Sequence, residues 1–443
     1  QPELFAQHYA EAGLVEKSVA CWGKAGRRSA GRSAMAEAAA QFHKGLDQLA
    51  LLPDTPERQR QELEFCSALG AVMIAVKGYA APETGQVYAR ARELWEQLGS
   101  PSEFLGVPFG QSSHHLFRGE LDLAQRLDED LLRLSRQRND SAGLVLGHYQ
   151  SGRTLMFAGR FTLSRSRLEA ALALNDPNSH RSLVHQAGLH LLVASQAQLG
   201  IVLFCLGFPD QALARSSAAI AEARRLAHLP SLASSLVLGA MLLSLGGDNS
   251  LLGERVNQLV AVTTEQGFPF WRALGTILRG WVKAKNGDVT EGISLLRSGL
   301  AALRAIGAEA GVPYFIALLA KACEIAGQVE EGVTLLDEAL QIAERTGDRW
   351  VEAELNRRKG QLLLRQGDSE AAEELYRKAL GVAREQEAKL WGLRAAMSLA
   401  RLHRDQGRRT EARDLLAPVY GWFTEGFATR DLKDAKALLD QLA

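Results

Sequence analysis

The sequence predicts an all-α solenoid of about ten helical hairpins, and two periodic observations predict it. Gly207, Gly247, Gly287, Gly327, Gly367 and Gly407 fall 40 residues apart, and Gly119 and Gly159 carry the same interval upstream. Seven residues before each of these glycines the position is always small: Ser112, Gly152, Gly200, Ala240, Gly280, Ala320, Gly360 and Ala400. Small residues return five positions after them at Ala124, Ser164, Ala212, Gly292, Gly332, Ala372 and Ala412, with Leu252 the exception. Glycine tolerates the left-handed backbone of a tight turn. Small residues at fixed offsets on both sides let two helix backbones cross closely. Each unit is therefore a hairpin, and hairpins that touch only their neighbours stack into a solenoid.

Taken in order, Pro2 to Ala12 reads as a helix with no partner before it. The opening Gln1-Pro2-Glu3 shows neither Met nor a basic, apolar leader, so residues 1–13 are expected to be carried over from an upstream region. Residues 14–429 are the solenoid. The first hairpin, 14–53, uses Trp22, Ala25 and Gly26 in one helix, Ala38 and Gly45 in the next, and closes at Pro53. The second runs to about residue 100, its turn stretched by Gly78 to Pro82. The interval from Gly159 to Gly207 is 48 residues, and the polar segment Asn175-Asp176-Pro177-Asn178-Ser179-His180 reads as an inserted loop that absorbs the surplus. Residues 430–443 form an amphipathic helix suited to capping the last apolar face.

The cleanest unit is WVEAELNRRKGQLLLRQ, the turn Gly367-Asp368, then SEAAEELYRKALGVAREQ. Its Gly360, Gly367, Ala372 and Ala379 match the small positions of a tetratricopeptide (TPR) hairpin. The usual repeat has about 34 residues, and six more at 1.5 Å each lengthen the helices by about 9 Å in all. The expected architecture is a right-handed superhelix of elongated, TPR-like hairpins.

Charge excludes little and chemistry is sparse. Lys plus Arg and Asp plus Glu balance at 51 each, so no net field draws the chain to nucleic acid or an anionic membrane. Cys21, Cys66, Cys205 and Cys323 form no CxxC pair, as expected of thiols in a reducing cytoplasm. The uncharged run Gly188 to Phe208 is long enough to span a bilayer, but its glycines keep the repeat register, so it reads as a buried or groove-lining helix. Gly23-Lys24-Ala25 lacks the earlier glycine and the hydroxyl of a phosphate loop. His180, His185 and His190 recur every five residues, which on a helix turns successive rings about 140° apart, away from one metal. Neighbouring His114 and His115 point apart. Glu370, Glu373 and Glu374 lie beside Arg377 and Lys378 as a solvated ion-pair face. No catalytic, cofactor or metal residue is assigned, and the chain is read as a binding module.

In a hairpin solenoid the first helix of each unit lines the concave surface. Six and ten residues before the turn glycine, units four to seven place Tyr149 and Arg153, Ala197 and Ile201, Val237 and Met241, Ile277 and Trp281. Units eight to ten place Ala317 and Lys321, Arg357 and Gln361, Met397 and Arg401. An apolar floor that turns basic suits an acidic, amphipathic peptide, because Arg binds carboxylates bidentately and apolar burial adds affinity. The same apolar residues also suit packing between adjacent helices, and the basic ones an ordinary solvated face.

Several strings go beyond the repeat pattern: GLVEKSVACWGKAGRRS, LLPDTPERQRQELEF, KGYAAPETGQVYARARELWEQLG, EQGFPFWRALGTILRGW and the closing segment Leu415 to Leu442. Together they resemble the C-terminal helical-repeat region of bacterial STAND-type signalling ATPases, especially those carrying an N-terminal class III adenylate/guanylate cyclase domain. The resemblance spans essentially the whole chain. It implies a cytoplasmic sensor or oligomerisation arm acting on ATPase and cyclase domains in cis, with a protein or peptide ligand on the concave face. The alternative is a stand-alone scaffold that binds acidic amphipathic peptides. LVASQAQLGIVLFCLG departs from the family, so ligand identity does not transfer.

Overall fold

The computed structural model describes residues 2–174, 180–247 and 249–443, and among these there is no β-strand. Helix α1 (Pro2–Glu11) packs on α2 (Val15–Gly31), which pairs with α3 (Met35–Leu49). Three hairpins follow: α4 (Pro56–Val76) with α5 (Pro82–Gln97), α6 (Gly106–Phe117) with α7 (Leu121–Gln137), and α8 (Ser141–Phe157) with α9 (Phe161–Ala173). After a single helix, α10 (His180–Ala187), come α11 (Leu191–Leu206) with α12 (Pro209–Arg225) and α13 (Leu229–Gly246) with α14 (Asn249–Gln266). The last four hairpins are α15 (Pro269–Lys285) with α16 (Val289–Ala305), α17 (Val312–Ile325) with α18 (Val329–Thr346), α19 (Glu352–Arg365) with α20 (Ser369–Glu385), and α21 (Lys389–Asp405) with α22 (Arg409–Gly421). Helix α23 (Arg430–Leu442) closes the stack, burying Leu432, Ala435, Leu438 and Leu442.

All eight turn glycines adopt the left-handed conformation, with φ from 74° at Gly159 to 100° at Gly287. Their small neighbours sit where helices cross. A Cβ added to Gly280 would come within 2.7 Å of the Gly292 carbonyl oxygen, a backbone atom with no room to yield. A second left-handed series separates one hairpin from the next: Gly99, Asn139, Ala227, Gly267, Gly307, Gly347 and Glu387. The insertion before Gly207 contains the helix α10, packed against α4 and α6. Asn175 to Ser179, expected as a loop, lie outside the described residues, as do the side chains of His180 and His185.

The solenoid winds back onto itself. The Phe117 carbonyl accepts the Glu309 amide at 2.8 Å, and one repeat later the Phe157 carbonyl accepts the Arg349 amide at 2.8 Å. Farther along, α11 packs on α21. The connection before α23 docks on the start of α12, where Glu425 accepts the Asp210 and Gln211 amides at 3.0 and 3.1 Å and so caps that helix with a carboxylate. Turns of hairpins three to five thus lean on the entrances of hairpins eight to ten. The pinned backbone also delays α19, which begins at Glu352 although Trp350 was expected within the first helix.

Among the described residues one helix, Leu229–Gly246, is long and apolar enough to cross a membrane, and 72% of that stretch is buried inside the fold. The run from Leu191 to Leu206 is shorter and is a core helix buried on nearly every side. Cys66, Cys205 and Cys323 are buried free thiols, whereas Cys21 is only half-buried.

Candidate functional site

Closure of the superhelix divides the expected concave residues into two groups. Tyr149, Arg153, Ile201, Val237 and Met241 line an interior cavity of about 80 Å³. Trp281, Lys321, Arg357 and Arg401 line a wider, polar pocket of about 390 Å³ at the C-terminal end. Ala197, Ala317 and Gln361 belong to neither, and nor does Ile277. It is fully buried against Gly299 of the partner helix α16, because the inward face of hairpin seven has shifted to Phe270, Trp271 and Leu274 near the start of α15.

The interior cavity is roofed by an aromatic seam. Tyr79 stacks on Phe117 with centroids 4.4 Å apart, and Phe270 meets both edge-on at 5.6 and 5.3 Å. The Arg153 guanidinium lies 5.5, 5.2 and 5.4 Å from the Tyr79, Phe117 and Tyr149 rings, within cation–π range. One terminal nitrogen donates to Ser113 Oγ and Gln150 Oε1, both at 2.6 Å. Gln150 also donates to Ser112 Oγ at 3.1 Å, and Ser112 in turn donates to Asp128 at 2.5 Å. Thr154 donates to the other Asp128 oxygen at 2.7 Å.

Burial pushes the Asp128 carboxyl up to about 7, outweighing the hydroxyl donors and Arg153 that favour its charged form. Its unfolded value is about 3.9, so the folded state holds the extra proton across that interval. The stability contributed is full below about pH 4 and is lost as pH rises through 7. Asp128→Asn keeps the shape, since Thr154 Oγ can turn its proton to the Gln150 carbonyl at 3.2 Å. The variant is expected to gain on the wild type by on the order of 2–4 kcal/mol between pH 5 and pH 8. Urea denaturation at the two pH values measures this, and parallel curves for both proteins would refute it.

The C-terminal pocket is an ion-pair network with a basic surplus. Seven Lys and Arg side chains and three carboxylates line it. Glu354, 4% exposed, takes Arg357 bidentately at 2.7 and 2.8 Å and Arg358 at 2.8 Å. Burial alone would raise the Glu354 carboxyl, but Arg357 and Arg358 hold it well below the usual carboxylate range. Arg394 links Glu354, at 3.8 Å, to Asp431 at 2.7 Å and the Leu245 carbonyl at 2.6 Å. Lys321 pairs with Glu324 at 2.6 Å. Arg401 is exposed, and among the described residues its charge is opposed at a distance by Asp434.

Tyr79, Phe117, Phe157, Gln150 and Asp128 were not anticipated as site residues. Phe117 and Phe157 stand two residues before their turn glycines, where later units have Cys205, Leu245, Lys285, Ile325, Arg365 and Asp405. An aromatic ring at a position that no later unit fills with one was the available signal. Among the described residues no three His, Cys, Asp or Glu side chains gather where a metal could sit. His114 donates to the Tyr79 carbonyl at 2.8 Å, whereas His115 meets Glu120 at 2.5 Å.

Fold and pockets together define a TPR-type solenoid with an apolar interior pocket and a basic mouth, an architecture that serves mainly to hold other molecules. A family model for the tetratricopeptide repeat matches residues 314–385 and 351–420. An uncharacterized protein of Rhizobium meliloti (strain 1021) is 26% identical over 407 residues, which is 90% of this chain and 39% of that protein. The chain thus spans about two fifths of that relative. A Rap protein solved in complex with Competence and Sporulation Factor superposes with a TM-score of 0.56 at 12% identity, over 88% of this chain and 100% of that one. The Rap conjugation gene regulator of plasmid pLS20, solved with the Phr* peptide, gives 0.49 at 12% identity, over 88% and 97%. The Rap likeness establishes the shared helical-hairpin fold.

Proposed function

We propose that this chain is the ligand-sensing arm of a larger signalling ATPase with a nucleotide-cyclase output, and that it captures an acidic, amphipathic peptide segment at its basic mouth. The surplus of cations around Trp281 and the exposed Arg401 carries the reading. Fixed carboxylates there are already engaged, so an incoming carboxylate finds the Arg401 guanidinium in the same pocket as Trp281. The resemblance to repeat arms of STAND-type ATPases supports a parent with further domains, as does a relative of which the matched region is 39%. A Rap protein of the same fold, complexed with Competence and Sporulation Factor, supports ligand capture by this architecture. Binding would bias the parent only through unequal affinity for its two arrangements.

Arg357 is unsuited to a test of capture because it holds Glu354. Arg401→Glu combined with Arg430→Glu leaves that pair intact. Fluorescence anisotropy with an amphipathic peptide bearing Glu on its polar face should show at least about tenfold weaker binding to the double variant. A Gln-substituted peptide should bind the wild type comparably weakly. Equal affinities throughout would sink capture at the mouth. An upstream coding region lacking a GxxxxGK[ST] loop would remove the ATPase and leave a free-standing scaffold.

A further inference from the structure

The interior cavity is a different kind of place from the mouth. Arg153 is 4% exposed, faces the cavity, and has a buried Nε with no hydrogen-bond partner. Among the described residues it makes no ion pair. Its contacts are a serine, an amide and aromatic rings, all neutral, and burial keeps the adjacent Tyr79 phenol protonated. The nearest carboxyl in its network, Asp128, lies three hydrogen bonds away and is not fully ionised at neutral pH. A buried guanidinium held only by neutral groups is a standing electrostatic demand for an anion. Opposite it the walls are apolar: Val237, Met241, Phe270, Leu274 and Phe315.

We propose that this cavity is a binding site for a small apolar monocarboxylate, its carboxylate on Arg153 and its hydrocarbon body among Val237, Met241 and Leu274. The space of about 80 Å³ sets the size. At some 10–15 Å³ per water-sized group, it holds a ligand of about five to eight non-hydrogen atoms. A branched short-chain acid fits, whereas a peptide of several residues does not. The rim includes Phe117, Ala310 and Gly311, and the Phe117 carbonyl is hydrogen-bonded to the amides of Glu309 and Ala310. An occupant therefore touches both sides of the contact that closes the superhelix, and it favours the closed form by its affinity for it.

The probes are isocaproate and its uncharged isostere isocaproamide, titrated by calorimetry against the full chain, with thermal melts alongside. Isocaproate should bind and raise the melting temperature with concentration, and the amide should bind at least about tenfold more weakly. Val237→Phe fills the cavity while leaving Arg153 in place, and should abolish binding with the helical circular dichroism unchanged. Arg153→Gln should lose the preference for acid over amide. Absence of isocaproate binding to the wild type, equal binding of acid and amide, or wild-type binding by folded Val237→Phe would each overturn the proposal. Capture of the acidic peptide at the mouth is read out separately and does not depend on these results.

Discussion

Glu354→Ala is expected to destabilise the protein by about 3–5 kcal/mol, the range for removing one partner of a buried charge pair. Glu354 is the single carboxylate on which Arg357, Arg358 and Arg394 converge, at 2.7, 2.8 and 3.8 Å. Without it, three buried or nearly buried guanidiniums face one another, and only Arg394 retains a carboxylate, that of Asp431. Glu354→Gln restores the volume and a hydrogen-bond acceptor but not the charge, so it should fall between. The pH response has a definite sign. The folded carboxyl lies below its unfolded value of about 4.3, so its contribution is present above that value and is lost as pH falls through the folded one. Urea denaturation at pH 7 and pH 3 should therefore show a smaller difference for Glu354→Ala than for the wild type. A loss below about 1 kcal/mol at pH 7 would mean that the network is replaceable.

Trp391→Ala should cost a comparable amount, about 3–5 kcal/mol, for a different reason. The indole is 1% exposed and donates to the Trp350 carbonyl at 3.0 Å. Its ring meets Phe204 of α11 at 6.4 Å, and Arg394 lies over it at 5.2 Å. Truncation leaves a cavity, an unpaired carbonyl and a gap between hairpins five and ten. Loss of stability should therefore come with expansion. Small-angle scattering under native conditions should show a larger radius of gyration, which an interior truncation such as Leu296→Ala within α16 should not. A destabilised variant of unchanged radius would mean that the α11–α21 contact is not what holds the superhelix shut.

Local, periodic features were legible in the sequence. Turn glycines and their small companions located hairpins three to ten because each constraint acts within one hairpin. The boundaries between hairpins were harder to see, since Asn139, Ala227 and Glu387 adopt left-handed backbone without being glycine. Closure was not legible. The Phe117 carbonyl and the Glu309 amide are far apart in sequence, and no spacing announces their meeting. That contact redistributed the expected site residues, enclosing Tyr149 and Arg153 and turning Ile277 away. Arg357 was expected as a groove cation, but Glu354 three residues earlier already stood at helical pairing distance. Those local neighbours indicated that its charge was engaged.

A linear array of repeats unfolds as a chain of nearest neighbours, so its ends can fray while the middle stays folded. Here the C-terminal segment is tied to hairpin five through Glu425 and Asp210, and hairpins eight and nine are tied to three and four. These ties turn a one-dimensional array into a cooperative ring, in which opening one seam weakens units on both sides. Amide exchange in hairpins three and four should then track that in eight and nine as a single unit. An event at one seam is felt by half the molecule at once.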